Sequence, residues 1–116
     1  MSVLKNVVML TGRLGSTPES TKLENGKRVV NLSIATSETY LDKDNQKQTI
    51  TDWHNIVFWD GVADLVEKYC NKGDKVSIMG KLKHSSYEKD GVTTYRTFVL
   101  VKEIEFHTPP PSSENA

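Results

Sequence analysis

Hydrophobic and polar residues alternate along most of this chain, with the period of two that is typical of β-strands buried on one face. Val8, Leu10 and Leu14 share one face of the first alternating segment, and Val30 and Leu32 share one face of the second. The pattern predicts five strands, over about residues 7–14, 30–35, 49–60, 75–83 and 93–106. Each strand is therefore expected to bury one face and to expose the other.

One segment departs from this period and predicts a short helix. Its apolar residues recur at i, i+3, i+4 and i+7, which forms a single stripe on a helix. They are Val62, Leu65, Val66 and Tyr69. Asp60 is a suitable N-cap, and Gly73 follows the last turn as a stop signal. The helix is thus predicted between the third and fourth strands.

Turn signals separate the strands. Asn25-Gly26 precedes the second strand, and Lys89-Asp90-Gly91 is expected to join the last two strands in a hairpin. The polar stretch from Asp42 to Gln48 predicts a loop. It lacks the central Gly and closing Glu of an EF-hand, so a solvated loop is favoured over a calcium site. No metal and no cofactor is predicted.

Three strands, one helix and two further strands form the element order of an OB-fold, a small all-β, five-stranded barrel. Gly12 and Gly80 fall inside predicted strands, where they suit the sharp bends of a small closed barrel. We assign residues 1–107 to this domain. Residues 108–116 are rich in Pro and Ser, and we predict a disordered tail.

Composition sets the scale of the protein. Its 116 residues suffice for one domain, and no apolar run approaches the ~20 residues needed to span a bilayer. The N-terminus has no secretory signal pattern, and the single cysteine, Cys70, cannot form an internal disulfide. We therefore expect a soluble, cytoplasmic protein.

Four aromatic residues stand in strand-like segments dominated by small polar residues: Tyr40, Trp53, Trp59 and Tyr87. In the strand of both tryptophans, Ile56 and Phe58 occupy the opposite face, so the core is already supplied. Rings on the solvent side of a sheet are platforms on which bases stack. The pattern indicates a surface for single-stranded nucleic acid, with a core role for each ring as the alternative.

Charge is neutral overall but segregated along the chain. Fifteen Lys plus Arg balance fifteen Asp plus Glu, yet residues 71–102 carry a basic excess. Lys81 and Lys83 share strand parity with Tyr87, and Lys72 lies in the same basic segment. We predict that these three lysines, together with Lys43, contact the nucleic-acid backbone.

A rival interpretation is an enzyme that uses the same barrel face for a substrate such as an oligosaccharide. Such an enzyme needs a convergent acid, base or nucleophile, and Asp52, His54 and Asp60 do not form a convincing set on one face. No catalytic residue is therefore predicted.

Four segments carry a family resemblance: Asn6-Val-Val-Met-Leu-Thr-Gly-Arg-Leu-Gly15, Asn31-Leu-Ser-Ile-Ala-Thr-Ser37, Thr51-Asp-Trp-His-Asn-Ile-Val57 and Val76-Ser-Ile-Met-Gly-Lys-Leu82. Over about residues 3–107 the chain resembles the bacterial-type single-stranded DNA-binding proteins. The resemblance implies binding and protection of single-stranded DNA during replication, recombination and repair, and hence association with the nucleoid. It also assigns stacking roles to the four aromatic residues.

The resemblance further implies a homotetramer, with Asn6, Val8 and His54 at subunit contacts. The family's bacterial members normally end in an acidic tip that docks replication and repair proteins, whereas this chain ends Ser112-Ser-Glu-Asn-Ala116. We expect that mode of recruitment to be absent. A primosome-type OB adaptor, which acts mainly through protein contacts, is the main alternative function.

Overall fold

The computed structural model describes residues 4–107, which form one sheet closed into a barrel and one helix. The elements are β1 (Val8–Leu14), β2 (Thr21–Lys22), β3 (Arg28–Leu41), β4 (Lys47–Trp59), α1 (Asp60–Tyr69), β5 (Lys75–Lys89) and β6 (Val92–Phe106). The sheet order is β1-β5-β6-β4-β3-β2, and an additional β1–β3 pairing closes the barrel. This is the predicted OB-fold, with β2 as a two-residue addition at its edge. The predicted tail, residues 108–116, lies outside the described residues.

The barrel interior is formed by the inward faces that the alternation predicts. Ile34, Ile56 and Phe58 are fully buried. Helix α1 contributes Ala63 and Val66 to the same core, so it covers one end of the barrel. Helix α1 begins directly after β4, so Trp59 lies at the junction of the strand and the helix.

Two strand pairs continue beyond the core as long hairpin arms. The β3–β4 register runs without interruption from Val29 opposite Trp59 to Leu41 opposite Lys47. The predicted loop 42–48 is consequently shorter, because Lys47 and Gln48 belong to β4 and the connection is only residues 42–46. The Asp42 carboxylate accepts the backbone N–H groups of Gln46 and Asp44, which lowers its pKa and orders this turn.

The β5–β6 hairpin has the predicted turn. Asp90 and Gly91 both adopt positive φ, 53° and 81°, as a type I′ connection requires. Strand β5 extends from its predicted end near Lys83 to Lys89, whereas β6 agrees with its predicted range to within one residue, and most side chains of the arm are exposed. Alternation of burial stops where the core stops, so hydrophobic periodicity could not locate the end of β5.

Helix α1 starts differently from the prediction. Asp60 is its first residue, and the cap position is Trp59, which has no side-chain capping bond. The predicted N-cap role of Asp60 is therefore wrong. Its carboxylate instead accepts the backbone N–H of Arg28 at 3.1 Å. The Arg28 guanidinium pairs with Asp64 and with Glu67, so this corner ties β3 to α1.

The two strand glycines lie where neighbouring backbones approach closely. A Cβ on Gly12 would lie 2.0 Å from the Ala35 carbonyl oxygen, and one on Gly80 would lie 2.1 Å from the Leu100 carbonyl oxygen. Both contacts are with backbone atoms, which cannot rotate away. Glycine is therefore required at both positions, as predicted for a small barrel.

Candidate nucleic-acid interface

Trp53 lies on the outer face of the barrel in a row that crosses four strands. Lys75 in β5 is opposite Arg13 in β1, Arg13 is opposite Ala35 in β3, and Ala35 is opposite Trp53 in β4. Directly opposed residues point to the same side of a sheet. The row therefore sets two cations and an indole on one surface.

Gly15 provides the support for the Trp53 ring. A Cβ on Gly15 would lie 2.8 Å from Cζ3 of Trp53 and 2.4 Å from Oγ of Ser33. The absence of a side chain lets the indole lie against the backbone here. Trp53 is nevertheless 62% exposed, so most of the residue is accessible for stacking.

The β5–β6 arm continues this outer face. Lys81 is opposite Leu100, Lys83 is opposite Phe98, and Tyr87 is opposite Thr94. The parallel pair Val57 and Leu100 then joins β6 to the tryptophan strand. These registers bring five predicted residues onto one outer face, namely Trp53, Trp59, Lys81, Lys83 and Tyr87.

A fixed guanidinium lies on the same face. The Arg96 guanidinium stands 5.0 Å from the centroid of the Phe98 ring, and its Nη2 donates to Oδ1 of Asn31 at 3.0 Å. Ring contact and hydrogen bond hold a planar cation that can stack on a base or pair with a phosphate. This arrangement could not be predicted from the sequence, because Asn31 and Arg96 meet across β4.

Arg13 and Lys75 were also missed by the sequence reasoning. Arg13 lies in β1, whose alternating pattern predicts that its side chain points outward. This outward direction was the feature of the sequence that could have identified it. Its Nη1 donates to the carbonyl oxygen of Gly73 at 3.0 Å, which anchors the guanidinium beside the turn that follows α1. Lys72 is in that turn, and its backbone N–H donates to Thr17 Oγ1.

Tyr40 and Lys43 are not brought together with the other predicted residues. Ala35 is opposite Trp53 and shares its face, whereas Tyr40 lies five positions further along β3. An odd number of positions reverses the direction of the side chain, so Tyr40 points to the face of the β3–β4 arm away from Trp53. Lys43 lies in the turn at the far tip of that arm. Tyr40 is half-exposed and therefore accessible, but from a different side than Trp53.

The three residues predicted at subunit contacts occupy different environments. Asn6 uses its side-chain amide to exchange two hydrogen bonds with the Leu82 backbone, at 2.9 and 3.1 Å. Val8 points inward and packs against the core. His54 is half-buried, and its Nε2 lies 2.9 Å from Oγ1 of Thr36. A subunit contact through these residues remains a prediction.

Cys70, the single cysteine of the chain, is buried in the core. Burial raises the pKa of the Cys70 thiol to about 11, so at neutral pH it is protonated and a poor nucleophile. Within residues 4–107 no cluster of three or more His, Cys, Asp or Glu could hold a metal ion. Across the same residues, no helix has the length and apolarity needed to cross a membrane. The surface offers stacking rings and cations.

Comparison with known proteins gives a consistent result. Residues 5–107 match the model of the single-strand binding protein family. The chain is 38% identical over 102 residues to single-stranded DNA-binding protein 1 of Chlorobaculum tepidum, covering 86% of this chain and 63% of that protein. It is 37% identical over 101 residues to single-stranded DNA-binding protein of Neisseria meningitidis serogroup A, covering 86% and 58%. The chain thus spans less than two thirds of the length of these relatives.

Two solved structures share the fold. The Plasmodium falciparum SSB complex with ssDNA superposes with a TM-score of 0.79 at 30% identity, covering 93% of this chain and 99% of that one. A deletion mutant of the single-stranded DNA binding protein from Thermus aquaticus gives a TM-score of 0.76 at 22% identity, covering 89% and 50%. The second likeness concerns the fold alone.

Proposed function

Because the chain belongs to the single-strand binding protein family, we propose that it binds single-stranded DNA with little sequence preference and protects it during replication, recombination and repair. The observation that carries the proposal is the outer face on which Trp53 and Trp59 share a surface with Lys81 and Lys83. Bases would stack on the rings while ammonium groups neutralise phosphates. Stacking tolerates any sequence because every base has a π-face.

The distribution of acids on the β3–β4 arm supports this choice of face. Glu38 is opposite Ile50, and Asp52 is opposite Thr36, so both carboxylates lie on the side away from Trp53. The side that carries Trp53 presents Ser37 and Thr51, whose hydroxyls hydrogen-bond to each other. A neutral chain can therefore attract DNA locally, because the surface around Trp53 is free of these acids.

Fluorescence titration tests the function. Tryptophan emission should fall when oligo-dT is added at low salt, because the bases stack on the indoles. Duplex DNA of the same length should bind much more weakly. Unchanged emission together with no binding by an independent method, or equal affinity for duplex, would contradict the proposal and favour the OB adaptor that acts through protein contacts.

Lysine substitutions test the backbone contacts. We expect Lys81→Ala, Lys83→Ala and Lys72→Ala each to weaken binding to all sequences alike. Each should make the slope of log affinity against log salt shallower by ~0.7, the single-strand value per phosphate. Lys68→Ala is the matched control, since Lys68 lies on α1 beside Tyr69. An unaltered slope for all three variants would assign these lysines to solvent.

We also propose that the protein assembles as a homotetramer. Among the described residues, β1 pairs with β3 only at Arg13 and Leu14, so the edge of β1 nearer its start has no strand partner on that side. Val7 and Met9 are exposed beside it. Pairing of this edge with a second copy would satisfy its backbone groups and cover the apolar side chains.

Light scattering tests the assembly. The mass should be near four times 13.1 kDa and should not change when residues 109–116 are deleted. A stable monomer at micromolar concentration, or loss of assembly with the deletion, would contradict the tetramer.

Within the same proposal, the protein acts in the cytoplasm on chromosomal DNA and is a binding protein without catalytic activity.

A further inference from the structure

A surface cleft of about 470 Å³ lies beside Trp59, at the end of the barrel that α1 covers. Its walls include Trp59, Val62 and Leu100, and two lysines, Lys27 and Lys102, stand at its sides. The volume falls within the range of small-ligand sites. Trp59 is 37% exposed, so its ring is accessible from this cleft.

Strand register explains why the two lysines flank the ring. Val29 is opposite Trp59, and Lys27 precedes Val29 by two positions, in a turn that the Lys27 N–H closes on Oδ1 of Asn25. On the other side, Val57 pairs with Leu100 in parallel register. Lys102 follows Leu100 by two positions in β6 and lines the same cleft as Trp59. The indole therefore lies between cations from β6 and from the turn before β3.

Both ammonium groups are free of acidic partners. Within residues 4–107, the ion pairs of side chains are those of Arg28 with Asp64 and Glu67. The neighbouring carboxylate of Asp60 accepts the Arg28 backbone N–H. In addition, Trp59 is the N-cap residue of α1 and supplies no side-chain acceptor to the N–H groups of the first turn. The partial positive charge of this helix end therefore lies beside the cleft without a capping side chain.

We infer that Lys27 and Lys102 hold the phosphates next to the base that stacks on Trp59, which makes this cleft a nucleotide subsite with its own backbone contacts. The inference rests on the proposed function and adds two binding residues to it. At about 3.3 Å per residue, Trp59 is about 20 Å from Trp53 along β4. The subsite would extend the DNA track from the open arm to the helix end of the barrel.

A reporter for this cleft follows from the tryptophan content. The chain has two tryptophans, so Trp53→Phe leaves Trp59 as the sole indole. In this background, oligo-dT should reduce the emission of Trp59. Adding Lys27→Ala and Lys102→Ala should diminish that quenching and make the salt slope shallower by ~1.4, for two phosphates at ~0.7 each. With equal affinities at 1 M salt, this change in slope corresponds to a loss of about 25-fold in affinity at 0.1 M salt.

The control removes the same charge elsewhere. Lys22→Ala with Lys68→Ala acts on the side of Arg28 and α1, since Lys22 is opposite Arg28. This pair should retain the parent's quenching and slope, and equal thermal unfolding of all variants should verify folding. Parent-like slope and quenching in the Lys27, Lys102 variant would overturn the subsite while leaving the proposed function standing. Failure of the unmodified protein to bind oligo-dT would overturn both.

Discussion

Trp53→Ala will weaken the binding of oligo-dT by about 5- to 150-fold, because one base loses a stacking platform worth roughly 1 to 3 kcal/mol. The indole is mostly exposed and lies outside the core, so the free energy of unfolding should hardly change. Affinity measured at one fixed salt concentration, alongside a thermal melt, separates the two effects. The salt slope should stay constant, since no phosphate contact is removed.

Two variants control this prediction. Trp53→Phe keeps an aromatic face and should retain most of the affinity. Tyr95→Ala removes a ring that is 80% exposed but is opposite Ser86, on the reverse side of the arm from Tyr87. We expect it to bind as the unmodified protein does. Equal losses for Trp53→Ala and Tyr95→Ala would mean that the DNA does not distinguish the two faces.

Gly12→Ala should lower the free energy of unfolding by about 3 kcal/mol, at the upper end of the usual cost of overpacking. The new Cβ would meet the Ala35 carbonyl oxygen at 2.0 Å, where β1 crosses β3 and closes the barrel. For a domain of this size the expected fall in Tm is about 15 °C. Protein concentration must be fixed, because assembly adds to the apparent stability.

Gly61→Ala is the matched control for that experiment. Gly61 lies in α1, and a Cβ there would have nothing within 4 Å. Alanine in a helix is favoured over glycine, so this variant should be stabilised by roughly 0.5 to 1 kcal/mol. A Gly12→Ala protein as stable as the parent would contradict the prediction, because it would mean that β1 and β3 can move apart to accommodate the new Cβ at no cost in stability.

The barrel could be predicted because its strands have one buried and one exposed face. Alternation identified the inward positions Ile34, Ile56 and Phe58, and the change of period located α1. The arms gave no such signal. Beyond the core both faces of β3 and β4 are exposed, so the predicted loop 42–48 included two strand residues, and only the turn chemistry of Asp42 shows where the connection begins.

The rings of the site could be predicted from their polar surroundings, but its cations depended on the register. Lys27 and Lys102 are far apart in sequence and line one cleft only because β3, β4 and β6 are adjacent in the sheet. Arg96 meets Asn31 in the same way, across an intervening strand. The outward parity of Arg13 was readable from the sequence, whereas its nearness to Trp53 required the β1–β3 pairing that closes the barrel.

The uninterrupted register of β3 with β4 limits how this protein can change. Ala35 opposes Trp53 within a ladder that has no bulge, and the carboxylates of Glu38 and Asp52 occupy the reverse side. Inserting one residue in each strand between the core and Trp53 would turn the indole to the acidic side, whereas inserting two would preserve its direction. The segment between the core and Trp53 can therefore change length only in steps of two residues per strand if the indole is to keep its direction, whereas the part of the arm beyond Trp53 is free of this restriction.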